Sequence, residues 1–276
     1  MERLSGLCWH DGRLVRLGEL GLANLSLAGL FYGASVFTTL RVYGGSLDHP
    51  QTHWWAHCDR ITQSLNAFGW PRPNWTQVYS GCAKLLQHYE VLRIAVFPEG
   101  KALVTGRSLP TDLAIAQRQG IVVWVADEPI YRRSLPAHKT GNYLSCWLAR
   151  QASSRQNARE AVLVNDQGHW LETSTGNLWG WKDGHWWTPP LSAGVLPGIM
   201  RQQILKYLST QQQPATEADW PPEQITDFEA LACSNCVNEV LPIHTTLTHG
   251  TKLEYDPSHL GFEALRKAVK AEVDSG

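Results

Sequence analysis

The sequence predicts an α+β fold, and three observations lead to that prediction. The chain has 276 residues, which at about 150 residues per domain corresponds to one large domain or two ordinary ones. Strand-like and helix-like hydrophobic periods follow one another in mixed order, and glycine turns typical of hairpins separate several of them. The sequence has no internal repeat. Hairpins in mixed order favour α+β over a doubly wound parallel sheet.

In the first half, hairpin and helix signals alternate. Strands are predicted where apolar and polar residues alternate, and helices where apolar residues recur every three or four positions. The predicted elements are a hairpin over 6–15 that turns at Asp11-Gly12, a strand over 36–43, helices within 50–68 and 78–89, and strands over 92–97 and 103–106.

The second half begins after a polar stretch, residues 107–120, that has no strong periodicity. We place the domain boundary there, with a first domain of residues 1–112, a linker of residues 113–120 and a second domain of residues 121–276. The elements predicted in the second domain are a strand over 121–126, a helix over 143–156, a β-meander of three short runs over 161–188, a helix over 199–208 and a surface loop over 209–223.

Composition excludes several classes of function. With 24 Lys plus Arg against 25 Asp plus Glu, the net charge is -1 and no long basic run exists, which argues against nucleic-acid binding. The longest apolar stretches are strand-sized, so we expect no membrane span and a cytoplasmic protein. Cys233 and Cys236 form a CxxC pair, but no second pair completes four ligands, so we expect no metal.

Tryptophan is unusually common, with 13 Trp against 8 Tyr and 6 Phe. One interpretation is a non-catalytic, Trp-rich module that binds carbohydrate or protein through an exposed aromatic face. The other is core packing and a subunit interface, which we favour because tryptophans flank the chemistry-bearing segments described next.

Four segments carry residues suited to catalysis, although phosphate-binding glycine fingerprints and GxSxG are missing. Lys139 precedes a predicted helix among small, polar and aromatic neighbours. Glu172 ends an apolar strand and is followed by hydroxyls, a glycine and Asn177. Gly198 begins a helix directly after a turn, where free backbone N–H groups can hold a phosphate. Arg60 lies on a helix of the other domain.

Taken in this order, the segments resemble those of the class IV, or fold-type IV, pyridoxal-phosphate enzymes. That family contains branched-chain and D-amino-acid aminotransferases and 4-amino-4-deoxychorismate lyase. The matching segments are Phe31-Tyr32-Gly33, Phe37-Thr38-Thr39-Leu40-Arg41, the HxxR of His57 to Arg60, Lys139-x-x-Asn142, Glu172-x-x-x-x-Asn177 and the GIxR that begins at Gly198.

The resemblance implies a fold like that of D-amino-acid aminotransferase, with a small N-terminal α/β sandwich and a larger, β-rich C-terminal domain that carries the Schiff-base lysine. It also implies pyridoxal 5'-phosphate as cofactor and a homodimer. Lys139 would form the Schiff base and move protons, and Glu172 would hydrogen-bond the pyridine nitrogen. The other implied cofactor-binding residues are Arg60 and the backbone N–H groups of Ile199 and Met200 at the phosphate, Tyr143 at the Schiff base or ring oxygen, and Asn177, Gly198, Asn235 and Cys236.

Within the family, three departures from the aminotransferase pattern favour the lyase, which acts on a small molecule to give 4-aminobenzoate and pyruvate. Met200 stands where aminotransferases usually have Thr. Asn235 stands within Cys233-Ser234-Asn235-Cys236, where they have a Ser-Thr-Thr or Gly-Thr segment. Thr39 stands where branched-chain aminotransferases have glycine.

In the lyase interpretation, the hydroxyl of Thr39 would protonate or orient the departing enolpyruvate. A substrate with two carboxylates needs cationic partners, for which the candidates are Arg41, Arg93 and Arg107. The alternative is a class IV aminotransferase for branched-chain or D-amino acids with the same Lys139. The segment at Tyr32, a further substrate-binding candidate, is closer to the aminotransferase pattern YGxxxF.

Overall fold

The computed structural model describes residues 6–21, 26–248 and 250–271, and the chain divides into two compact units. The first unit comprises the residues up to Pro110 together with His138–Asn142. The second comprises Thr111–Ala137 together with the residues from Tyr143 onward. Helices and sheets occur in mixed order in both, which confirms the α+β fold class.

The first unit is built on a five-stranded antiparallel sheet with the strand order β2-β1-β5-β4-β3. Its strands are β1 (Leu7–His10), β2 (Arg13–Arg16), β3 (Val36–Arg41), β4 (Val91–Val96) and β5 (Ala102–Arg107), and its helices are α1 (Leu27–Tyr32), α2 (Trp54–Phe68) and α3 (Trp75–Leu85).

Period-two alternation gives the first sheet two different faces. On one face, apolar side chains such as Val36, Leu40 and Ile94 form a buried core with residues of α2 and α3. Residues at the intervening positions, such as Thr39 and Arg93, therefore lie on the opposite face, which these two helices do not cover.

A short return of the chain completes the first unit. The amide of Phe37 donates to the carbonyl of Lys139 (2.8 Å), and the amide of Gly141 donates to the carbonyl of Ser35 (2.7 Å). These bonds form an antiparallel bridge between Val36 and Thr140. The sequence assigned Lys139 to the C-terminal domain, whereas the backbone pairing joins its segment to β3 of the first unit.

The second unit contains a nine-stranded sheet with the strand order β11-β10-β9-β12-β13-β6-β7-β8, with β14 paired to β13. Its elements are α4 (Leu113–Gln119), β6 (Ile121–Ala126), α5 (Leu144–Arg155), β7 (Glu160–Val164), β8 (Trp170–Thr173), β9 (Asn177–Lys182), β10 (His185–Thr188), α6 (Ile199–Thr210), β11 (Thr216–Glu217), α7 (Pro222–Ile225), β12 (Ala230–Asn235), β13 (Glu239–Thr248), β14 (Thr251–Glu254) and α8 (Phe262–Lys270).

This sheet closes on itself, because β8 also pairs with β9 through Glu172 opposite Asn177. Strands β9, β12, β13, β6, β7 and β8 therefore form a ring. Ring closure brings the end of β8 and the start of β9 next to β12, whose Ser234 lies opposite Asn177. Side chains from three separate stretches of sequence thus meet at one point.

Several stretches differ from the sequence prediction. The predicted surface loop at 209–223 contains the end of α6, strand β11, the fully buried Trp220 and the start of α7. The predicted linker at 113–120 is largely helix α4, whose Leu113 and Ala116 are buried. With so few buried positions, this helix leaves only a weak periodic signal. The predicted meander has four strands rather than three runs, because a tight turn at Ser174–Gly176 divides the second run into β8 and β9.

The tryptophans for which the sequence suggested core packing divide: six of the 13 are buried and five are half-buried, whereas Trp55 and Trp147, both beside the chemistry-bearing segments, are exposed. Trp179, Trp186 and Trp220 are among the largest fully buried side chains. The Trp179 indole donates to Ser234 Oγ (2.9 Å), so its polar atom is also satisfied. Over the described ranges, no helix has both the length and the hydrophobicity needed to span a membrane.

The packing of α3 against β1 leads to a stability prediction. A Cβ on Gly81 would lie 2.4 Å from the indole of Trp9, which is itself buried. We expect Gly81→Ala to lower the free energy of unfolding by about 1–3 kcal/mol, because the steric clash outweighs the better helix propensity of alanine. Urea denaturation checks this. Ser80→Ala, at an exposed position of α3, is the control and should change stability little; equal effects of the two substitutions would contradict the packing argument.

Candidate active site

In the first unit, Lys139 lies over an aromatic ring. Its Nζ is 4.9 Å from the centroid of the Phe37 ring, and the guanidinium carbon of Arg93 is 3.6 Å from the same centroid. The ring is buried, and its π face attracts both cations. The pairing of Phe37 with Lys139 along the backbone therefore also determines where the ammonium group lies.

Three of the predicted substrate-binding residues lie on the same sheet face as Phe37. Thr39 of β3 is directly opposite Arg93 of β4, and Val91 of β4 is directly opposite both Arg41 of β3 and Arg107 of β5. Residues opposite each other in an antiparallel pair share a face, as do residues two apart in a strand. We call Phe37, Thr39, Arg41, Arg93 and Arg107 the arginine face. Strands β3, β4 and β5 contain no acidic residue, so this face is positively charged.

Arg60 contacts the other face of β3. Its Nη2 donates to the Thr38 hydroxyl (2.6 Å), and that hydroxyl lies 2.5 Å from Nδ1 of His57, one turn earlier on α2. Burial, followed by the positive charges of Arg60, His53 and Lys139, holds the pKa of His57 well below its usual value of 6.5. The sequence analysis missed Thr38, although its strand position next to Thr39 implies that the two side chains point to opposite faces.

The segment that carries Lys139 is also attached to α2 through His138. Ser64 Oγ lies 2.9 Å from His138 Nδ1, and the rings of Phe68 and His138 have centroids 4.7 Å apart. Lys139 is thus held on one side by strand pairing and on the other by a side-chain contact.

Tyr32, the remaining substrate-binding candidate of the first unit, is 80% exposed at the end of α1. The next residue, Gly33, ends the helix with φ +64°, a left-handed conformation that favours glycine. A Cβ at Gly33 would lie 3.2 Å from the amide nitrogen of Asn142. The YG pair therefore packs against the end of the Lys139 segment, while the Tyr32 side chain points away from the packed interior.

In the second unit, Glu172 is a buried carboxylate with several partners. It is 4% exposed, one oxygen pairs with the guanidinium of Arg133, and the other accepts from the amide of Leu196 (3.1 Å) and from Asn177 Nδ2 (3.4 Å). Nearby negative charge, chiefly that of Glu172, outweighs burial and raises the pKa of Arg133. The sequence analysis did not single out Arg133, because only the fold brings it next to Glu172.

A second buried carboxylate, Glu160, holds the turn after Glu172. It accepts hydrogen bonds from the hydroxyls of Ser174 and Thr175, the latter at 2.6 Å. The hydroxyl of Tyr143 donates to the carbonyl of Ser174. Burial, and to a smaller degree nearby negative groups, raise the pKa of Tyr143 well above its ordinary value. Tyr143 thus remains a protonated donor anchored to this turn.

The start of α6 lies beside the same turn. Asn177 Nδ2 donates to the carbonyl of Leu196 (2.9 Å), and a Cβ on Gly198 would lie 2.1 Å from Asn177 Oδ1, so only glycine fits there. No side chain caps the first turn of α6, and the side chains of Ile199 and Met200 are buried. The contribution of these two residues to an anion site is therefore confined to their backbone N–H groups.

Asn235 ends β12 close to the same turn, and Cys236 follows it in the chain. Asn235 Oδ1 accepts from the amides of Val237 (2.9 Å) and Asn238 (2.8 Å), and its Nδ2 lies 3.4 Å from Thr175 Oγ1. Cys236 is half-buried. In the part of the chain that the structure describes, no three His, Cys, Asp or Glu side chains group as a metal site would require.

The Arg133–Glu172 pair leads to a second stability prediction. Arg133→Met leaves a buried carboxylate without its cationic partner, and we expect a loss of about 3 kcal/mol in the free energy of unfolding. The control is Lys182→Met, which removes a solvent-exposed pair with Asp227 (2.7 Å) and should cost much less than Arg133→Met. Denaturant titration of both variants makes the comparison. A small loss in both would show that Arg133 is not needed to compensate Glu172.

His57 leads to a prediction of pH dependence. Its pKa is lowered on folding, so below pH 6.5 the unfolded chain binds a proton that the folded chain does not. The contribution to stability is therefore present above pH 6.5 and is lost as the pH falls below that value, with a slope of about 1.4 kcal/mol per pH unit. Denaturation of His57→Gln between pH 6.5 and lower pH should therefore show a free energy of unfolding whose slope against pH is smaller by that amount. Burial also lowers the pKa of His53, but this residue is present in both proteins and does not contribute to the difference between them. Equal slopes of unfolding free energy against pH in the two proteins would mean that His57 is not the group responsible.

Comparison with known proteins identifies the family to which this chain belongs. The chain is 25% identical over 240 residues to aminodeoxychorismate lyase of Vibrio harveyi, covering 81% of this chain and 87% of that protein. It is 26% identical over 223 residues to the branched-chain-amino-acid aminotransferase of Escherichia coli K12, covering 72% and 71%.

The fold is shared with solved structures. A hypothetical aminotransferase from Mycobacterium tuberculosis, in its PLP-bound form, superposes with a TM-score of 0.76 at 21% identity over 98% of this chain and 99% of that one. The family model described as amino-transferase class IV matches residues 35–245, which include every predicted site residue except Tyr32. The chain therefore belongs to the class IV aminotransferase family and has the fold-type IV architecture.

Proposed function

We propose that this chain is a 4-amino-4-deoxychorismate lyase, which converts its substrate to 4-aminobenzoate and pyruvate. Membership of the class IV family makes pyridoxal 5'-phosphate its cofactor. When bound, this group supplies an electron-withdrawing ring that stabilises negative charge on the carbon beside the substrate's amino nitrogen.

The donors in both units fit such a cofactor. In the second unit, Glu172 is a buried carboxylate suited to a protonated pyridine nitrogen, and the uncapped start of α6 suits a phosphate. The close contact between Gly198 and Asn177 leaves no room for a side chain at the helix start. In the first unit, Arg60 supplies a guanidinium suited to a phosphate and Lys139 supplies a primary amine. Tyr143, Asn177 and Asn235 support this set by holding the turn at 174–177 and the end of β12.

The arginine face supplies the substrate contacts in this proposal. Arg41, Arg93 and Arg107 are the cations for the two carboxylates of the substrate. Lys139 Nζ, beside Phe37 on the same face, removes the proton from the substrate carbon that bears the amino group. Loss of that proton and departure of enolpyruvate leave the aromatic ring of 4-aminobenzoate.

The observation that carries the lyase assignment is the position of Thr39. Its side chain lies on the arginine face, directly opposite Arg93 and two residues from Phe37, whose ring Lys139 contacts. A hydroxyl there donates a proton to the departing enolpyruvate, which becomes pyruvate. The glycine of branched-chain aminotransferases at this position has no group for that step.

An aminotransferase for branched-chain or D-amino acids is the second candidate. The relative from Escherichia coli K12 and the Tyr32-Gly33-Ala34-Ser35 segment favour it. It uses the same Lys139, Glu172 and Arg60, so only product analysis and the role of Thr39 separate the two reactions.

Turnover of aminodeoxychorismate is the decisive measurement. We expect equal amounts of pyruvate and 4-aminobenzoate, with little transamination of 2-oxoglutarate. Thr39→Ala should lower kcat by about 100-fold, and Thr39→Ser should restore most of it, because the lost group is a proton donor. Thr105→Ala is the matched control, since Thr105 also lies opposite Arg93 but on β5. Transamination without any 4-aminobenzoate would disprove the lyase assignment and establish the second candidate.

The homodimer stays a prediction. Helix α1 supports it, because it exposes Leu27, Leu30, Phe31 and Tyr32, an unusual concentration of large apolar side chains for one short helix. The cytoplasmic location also stays a prediction.

A further inference from the structure

Arg60, Thr38 and His57 form a buried chain of two hydrogen bonds. Counting the protons and lone pairs of the three groups shows which group donates in each bond. Thr38 and His57 are both 0% exposed, and the Thr38 Oγ1 lies 2.6 Å from Arg60 Nη2 and 2.5 Å from His57 Nδ1. A guanidinium has only donors, so Thr38 Oγ1 must accept from Arg60. What remains to be decided is whether the Thr38 hydroxyl or the His57 ring donates in the second bond.

Two assignments exist for a neutral His57. If the hydroxyl donates to Nδ1, the ring proton is on Nε2, and this buried N–H is left without an acceptor among the residues that the structure describes. If Nδ1–H donates instead, Thr38 Oγ1 accepts twice. Both the hydroxyl hydrogen of Thr38 and the bare Nε2 are then left without partners. Each buried polar group without a partner costs free energy, so the first assignment is favoured.

A cationic His57 is disfavoured by the groups around it. Its Nδ1–H would compete with Arg60 for the Thr38 oxygen, and its Nε2–H would still lack an acceptor. The charges near the ring are those of Arg60 and Lys139, with His53 beside them, and all of these oppose a further positive charge. The ring therefore serves as a neutral acceptor.

With the hydrogen bonds in this direction, Thr38 orients the guanidinium of Arg60. Its backbone is held in the β3–β4 ladder opposite Ile94, and its branched side chain has few rotamers in a strand. The hydroxyl is directed at His57, so its lone pairs are directed at Arg60. A planar guanidinium held at one Nη has a determined plane, which sets the direction of its other N–H groups.

We infer that Thr38 is a positioning residue for Arg60, with neutral His57 as the acceptor that orients the Thr38 hydroxyl. The inference rests on the proposed function, in which Arg60 binds the phosphate monoester of the cofactor. Consecutive threonines then serve opposite faces of one strand: Thr38 acts on the phosphate arginine and Thr39 on the substrate.

The test compares the binding of two probes to the protein stripped of cofactor. Pyridoxal 5'-phosphate and pyridoxal differ only in the phosphate. The Kd of pyridoxal divided by the Kd of pyridoxal 5'-phosphate therefore measures phosphate recognition. We expect Thr38→Val, which keeps the shape and loses the hydroxyl, to reduce that ratio by about tenfold. Thr38→Ser should keep it, and pyridoxal binding should be the same in all three proteins.

Arg60→Gln separates the failure of this inference from the failure of the proposed function. If Arg60→Gln abolishes the preference for the phosphorylated probe and Thr38→Val leaves it intact, the positioning role of Thr38 is wrong. If Arg60→Gln leaves the preference intact, the proposed phosphate role of Arg60 is wrong, and the inference falls with it.

A measurement on the unsubstituted protein covers the case in which Thr38→Val does not fold. Nitrogen-15 NMR of labelled histidine distinguishes the ring tautomers. We expect His57 to have an unprotonated Nδ1 and a protonated Nε2, and to remain neutral as the pH is lowered through 6.5. A protonated Nδ1, in either a neutral or a cationic ring, would overturn the inference.

Discussion

Pairing of the segment around Lys139 with β3 is the interaction on which the arrangement of the first unit depends. Two backbone hydrogen bonds, Phe37 to Lys139 and Gly141 to Ser35, add a piece of chain to the edge of a sheet more than ninety residues away in sequence. Main-chain bonds hold the position of Lys139 without depending on its side chain. The backbone of Lys139 therefore remains part of the sheet whatever contacts its side chain makes.

The same strand organises both of its faces. Its even-numbered residues Val36, Thr38 and Leu40 face α2, where apolar contacts form the core and Thr38 provides a polar bond to Arg60. Its odd-numbered residues form part of the arginine face. A slip of one residue in the pairing of β3 with β4 would exchange the two sets, so the apolar core also determines which residues form the arginine face.

The second unit buries two carboxylates, those of Glu160 and Glu172, and each needs partners that compensate its charge. Glu172 is compensated by Arg133 and by the amide of Leu196, and Glu160 by the hydroxyls of Ser174 and Thr175. Buried charges are tolerated only where such partners surround them. The carboxylates lie on β7 and β8, and their partners come from the segment before α5, the turn at 174–176 and the segment before α6. The closed ring of strands brings these pieces together.

Sequence alone was enough to identify the α+β class, half of the described α-helices, most of the described strands, and the family, because these depend on local periodicity and on short motifs whose residues are adjacent in the chain. It also predicted roles for Lys139, Glu172, Arg60 and the start of α6, which stay predictions. Arg133, Glu160 and Thr38 gained their importance only from the tertiary structure, since their partners are distant in sequence and no local pattern marks them. Helix α4 and the membership of Lys139 in the first unit belong to the same category. Burial of Leu113 and Ala116 decided the first and backbone pairing with β3 decided the second, and both are properties of the folded chain rather than of any window of its sequence.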